Sequence, residues 1–115
     1  MRESEPPPFA IDVAEQEERT LLNLSGELDL ATVGELEAAL ASRLDAGENV
    51  IVDLRGLAFM DSSGVRALVA AHQSAQDGNG SLVIVRASRG SEVDRVIDVS
   101  GIATALGMVD EPPAG

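Results

Sequence analysis

Asp61-Ser62-Ser63-Gly64 puts a carboxylate, two hydroxyls and a glycine in a row, and three kinds of chemistry could use them. A serine nucleophile would need a base beside it. The single histidine, His72, lies about two and a half helical turns further on, roughly 14 Å along a helix axis. Neither a Gly-x-x-x-x-Gly-Lys phosphate loop nor a Gly-x-Gly-x-x-Gly turn occurs in the chain. Catalysis by these serines is therefore not expected, and the chain reads as a non-enzyme. As a second use, aspartate and serine side chains accept hydrogen bonds from the free N–H groups that begin a helix. The third use is phosphate acceptance, which is compatible with capping because a helix N-terminus is electrostatically favourable for a phosphate. Phosphate would then come from another protein's active site.

Other polar residues are weaker candidates. Glu27 and Asp29 precede a predicted helix, where acidic residues are usually solvated and where Asp29 can also cap. Asp53 closes an apolar run and is expected to satisfy nearby backbone or to mark the edge of the site. His72 falls seven residues after Val65, on the apolar face of its helix, so it reads as a half-buried packing residue. With no cysteine and one histidine, neither a metal site nor a cofactor is expected.

The elements that must hold these residues follow from periodicity. Phe9 to Val13 alternates like a half-buried strand, Glu15 to Glu18 supplies a turn, and Thr20 to Leu24 returns as a second strand. Thr32 and Glu35 have the spacing of a capping box, followed by Val33, Leu36, Leu40 and Leu44 at helical intervals until Gly47. Asn49 to Leu54 is a β-branched run suited to a buried strand, and Arg55 to Met60 reads as an apolar connecting loop. A second helix opens at Asp61 or Ser62 and carries Val65, Leu68, Val69, His72 and Ala75 on one face, ending at Asp77-Gly78-Asn79-Gly80. Leu82 to Val85 forms a strand, Ser91 with Asp94 opens a third helix that closes at Ser100-Gly101, and Ile102 to Val109 suggests a last short strand.

The order predicts an α/β domain with a mixed, mostly parallel sheet of about five strands and three helices. Carboxyl ends of parallel strands share an edge, so the Ser25 to Asp29 turn and the Arg55 to Gly64 segment should emerge together. The expected organisation is a disordered arm over 1–8, one domain over 9–109 and a disordered tail over 110–115.

Composition limits the partners. Twenty acidic residues stand against eight basic ones, all arginine, for a formal net charge of −12, which repels phosphate backbones and anionic membranes. Neither nucleic acid nor a membrane is an expected partner. The acidic, proline-rich start is unlike a secretory signal and no apolar run approaches the ~20 residues of a membrane span. The expected setting is the cytoplasm.

Three segments together resemble the STAS family of anti-sigma factor antagonists and sulfate-transporter tails. They are Leu24-Ser25-Gly26-Glu27-Leu28-Asp29, Val50-Ile51-Val52-Asp53-Leu54 and Phe59-Met60-Asp61-Ser62-Ser63-Gly64; Ser91 to Leu106 is similar to that family's third helix and following turn. The resemblance implies an anti-sigma factor antagonist that binds an anti-sigma factor serine kinase, is switched off by phosphorylation and is restored by a serine phosphatase. It places the acceptor on Ser63, ahead of Ser62. Partner contact is implied for Glu27, Asp29, Asp61, Ser62, Ser63 and Gly64. A further C-terminal helix common in the family has no counterpart after Val109. The alternatives are a STAS subunit held permanently in a stress-sensing or lipid-transport assembly, and an enzyme using Ser63 as nucleophile.

Overall fold

A computed structural model describes residues 9–114; the arm expected over 1–8 lies outside them. Strand β1 (Phe9–Glu15) turns through a Gln16 N–H to Arg19 C=O bond of 2.9 Å into β2 (Thr20–Leu28). Helix α1 (Val33–Asp45), β3 (Asn49–Met60), α2 (Ser62–Asp77), β4 (Ser81–Val85), α3 (Glu92–Ser100) and the single turn α4 (Ile102–Ala105) follow. The sheet order is β1-β2-β3-β4, with β1 antiparallel to β2 and the other neighbours parallel. The α/β class and the mostly parallel sheet are as the sequence predicts.

Period-two alternation decides which strand residues reach the core. Leu22, Leu24, Val50, Val52, Leu54 and Ile84 join one buried cluster with Leu36, Leu40 and Leu44 of α1, Leu68 of α2, and Val93 and Ile97 of α3. Leu22, Leu36, Leu54 and Leu68 are wholly shielded from solvent, and each such burial is worth about 1.5–3 kcal/mol. Phe9 is the one aromatic side chain in this otherwise aliphatic cluster. Ala67 and Ala71 are buried on the side of α2 that faces Leu40 and Leu44 of α1.

Three expectations are corrected. Arg55 to Met60 is not a loop but the second half of β3, paired through Leu28↔Met60. Register shifts lie between Asn23 and Ser25 and between Gly26 and Glu27, and they interrupt the alternation that marks a strand. Gly56 is required there, since a Cβ would stand 2.5 Å from the Leu24 carbonyl oxygen. The Thr32–Glu35 capping box does not form: the Thr32 side chain caps nothing in α1 and its hydroxyl donates to the Glu27 carbonyl at 2.8 Å.

The last strand is also replaced. Gly101 and Gly107, both at positive φ, divide residues 101–107 into the turn α4, and only Val109 pairs with the sheet, beside Val85. Among the described residues the sheet thus has four strands and the domain four helices. Asp110 to Ala114 contain no helix. Asp110 pairs with Arg89 at 3.2 Å and the Pro113 carbonyl accepts from Arg19 at 2.7 Å, laying this segment along the domain.

Candidate functional site

The carboxyl ends of β2 and β3 bring the candidate residues together. Glu27 is opposite Phe59 and Leu28 opposite Met60; past the strand ends, the Asp61 N–H donates to the Leu28 carbonyl at 3.2 Å. The turn before α1 and the start of α2 are therefore one surface.

Within the turn, Asp29 is a structural residue. Its Oδ1 accepts from the N–H groups of Ala31 at 3.0 Å and Thr32 at 3.2 Å, while its own N–H donates to Thr32 Oγ1 at 3.0 Å. Its carbonyl accepts the Val33 N–H at 2.8 Å. Glu27, by contrast, is exposed. Of the two acids, Glu27 is the one whose carboxylate is presented outward.

Asp61 caps α2 as expected. Its backbone is extended (φ −112°, ψ −170°) and its Oδ1 accepts the Ser63 N–H at 2.8 Å. Ser62 is exposed, Ser63 is 8% exposed, and Gly64 is buried. A Cβ on Gly64 would lie 2.7 Å from Met60 Cγ and 2.9 Å from Leu28 Cδ2, so Gly64 is where the helix start packs directly on the ends of both strands. Ser62 is thus the outermost residue of the motif, and Ser63 occupies the first turn just beneath it.

Asp53 and His72 stand apart from this surface. Asp53 is buried and accepts the Arg55 N–H at 2.9 Å and the Arg55 guanidinium at 2.7 and 3.0 Å, an interaction that raises the Arg55 pKa. His72 is half-buried along α2. A buried ion pair secures α3: Arg86 donates to Asp94 at 2.6 Å, and also to the exposed Asp98 at 3.0 Å. The Gly90 N–H, and after it Arg86, holds the Asp94 carboxyl below the ordinary carboxylate range.

One feature beside the motif escapes a search for polar groups. Phe59 is 41% exposed and Val99 84% exposed, and both line an apolar groove of about 500 Å³ that Ser62 also borders. The signal was in the sequence as the apolar content of residues 55–60.

The family described as Mlab, STAS domain matches residues 11–110, and the chain belongs to this STAS domain family. Among similar proteins, the anti-sigma-B factor antagonist of Bacillus subtilis (strain 168) is 25% identical over 105 residues, 91% of this chain and 94% of that one. The protein of the same name from Staphylococcus aureus (strain NCTC 8325 / PS 47) is 28% identical over 93 residues, 80% of this chain and 84% of that one. The fold is shared with an anti-sigma factor antagonist from Mycobacterium paratuberculosis, with a TM-score of 0.80 at 24% identity over 94% of this chain and 91% of that one. It is shared also with unphosphorylated SpoIIAA, with a TM-score of 0.67 at 23% identity over 87% of this chain and 99% of that one.

Proposed function

We propose that this protein is an anti-sigma factor antagonist. Unphosphorylated, it binds an anti-sigma factor serine kinase through the surface carrying Glu27, Asp61 and Ser62, and so releases a sigma factor for transcription. The kinase transfers phosphate from ATP to Ser63, binding is lost, and a serine phosphatase restores the hydroxyl. The observation that carries this reading is the Asp61-capped start of α2, held by the Asp61–Leu28 hydrogen bond against the end of β2 that carries Glu27.

The chemistry follows from that placement. A hydroxyl in the first turn packs against a partner with little desolvation cost, whereas a phosphate adds roughly two negative charges beside Asp61. Such a group brought into a contact must lose water or find a paired cation. The positive end of α2 offsets part of that charge locally, so the domain keeps its fold and loses affinity. Supporting this reading are the names of the relatives, whose length the chain nearly spans.

Incubation with the cognate kinase and ATP, followed by peptide mass spectrometry, tests the assignment. Phosphate on Ser63 is expected; phosphate on Ser62 alone, or none, overturns it. Size-exclusion chromatography of the complex separates the switch from a permanent assembly: ATP should dissolve the complex, and an ATP-resistant complex with the wild-type chain would favour the structural subunit.

A further inference from the structure

We propose that the groove between the end of β3 and helix α3 is a second half of the docking surface, occupied by an apolar side chain on a basic segment of the anti-sigma factor. The proposal rests on the function above and names how that partner is held.

The groove, about 500 Å³, is walled by Phe59, Met60, Val65, Val96 and Val99, with Ser62 at its border. Four large hydrophobic side chains are exposed among the described residues: Val13, Leu30, Phe59 and Val99. Two of them meet in this one depression. Helix α3 explains why. Its Val93 and Ile97 are buried in the core, while Val96 and Val99 follow a second stripe at helical spacing that faces the groove. Val96 itself packs partly against the core, so Val99 is the apolar side chain of this stripe that folding leaves free. Contiguous exposed apolar surface rimmed by polar groups marks a place for another molecule.

Continuity and charge select the occupant. Ser62 belongs both to the groove and to the motif, so a partner seated on the motif reaches Phe59 and Val99 without a second foothold. Around this edge stand Glu27, Asp61 and Glu92, against Arg95 at the groove itself. Glu92 and Arg95 are three residues apart on α3 and largely offset one another; Arg66, one helical turn past Ser62 on α2, stands against the pair Glu27 and Asp61, which leaves the edge net acidic. A basic flank on the entering segment complements that edge, and the apolar side chain fills the groove. The arrangement also explains why one phosphate suffices: on Ser63, a residue from the groove border, it charges the mouth of a pocket built for an apolar group.

Isothermal titration of the purified chain with the cognate anti-sigma factor tests this. Val99→Glu should weaken binding at least about ten-fold with unchanged circular dichroism and melting, because Val99 is nearly free of the core, and Val99→Ile should bind like wild type. Val13→Glu, on the exposed face of β1, is the control and should bind normally. A Val99→Glu affinity within about two-fold of wild type, where Ser63→Asp abolishes binding, would overturn the groove and leave the switch standing. No binding by the wild-type chain overturns both.

Discussion

The Asp61 amide donates to the Leu28 carbonyl at 3.2 Å, which ties the end of β2 to the residue that begins α2. A perturbation on one side of it is felt on the other, which frames what substitutions here should do.

Ser63→Ala is expected to bind the anti-sigma factor and to remain bound when ATP is added. Ser63→Asp should bind poorly with an unchanged circular dichroism spectrum, since the charge is tolerated at the helix start but must be desolvated in the contact. Pull-down with and without ATP reads both.

Glu27 and Asp29 should separate under mutation although they are two residues apart. Glu27→Arg reverses an exposed charge and should weaken partner binding by roughly 1–3 kcal/mol with little change in stability. Asp29→Ala removes the acceptor for two backbone N–H groups and should lower stability by about 1–2 kcal/mol. Titration calorimetry together with urea melts distinguishes the two; equal stability losses would show that Glu27 is also structural.

Gly64→Ala should be destabilising despite alanine's better helix propensity. The added methyl meets Met60 and Leu28 at 2.7 and 2.9 Å, an overpacking cost of about 1–3 kcal/mol, against a gain of at most about 1 kcal/mol from leaving glycine. The net loss should appear in urea midpoints. A more stable variant would mean that α2 can lift off the strand ends freely.

Asp94 sets part of the acid limit. Its folded pKa lies below the ordinary value, so its contribution is complete above about pH 4, the unfolded carboxylate range, and is lost as pH falls through the lower folded value. Asp94→Asn should therefore be less stable than wild type at neutral pH, with the difference closing in acid. Melting curves between neutral and acidic pH show it; a constant gap would assign the effect to packing.

Much of this was legible in the sequence, and the exceptions share a cause. Helical spacing located α1, α2 and α3, and Asp61 and Ser91 cap their helices as read. The second half of β3 was missed because register shifts opposite Gly26 and Gly56 break the alternation by which strands are recognised. Thr32 misled because a hydroxyl can turn backward: it donates to the Glu27 carbonyl, closing the turn instead of capping α1. Ala67 and Ala71, buried on the side of α2 that faces α1, carry little hydrophobic signal. For the site, type and position revealed Asp61, Ser62 and Ser63. Only coordinates distinguish the outward Glu27 from the inward Asp29, or bring Val99 beside Phe59.

The sheet order has a kinetic side. Only β1 and β2 are joined by a tight turn and can zip locally, whereas β2–β3 and β3–β4 close only after α1 and α2 have crossed over. Loop closure must precede the contacts that reward it. The hairpin can form early, but the Asp61–Leu28 bond depends on the later β2–β3 pairing. The candidate surface is thus completed late in folding, and a nascent chain presenting only the hairpin does not yet carry it.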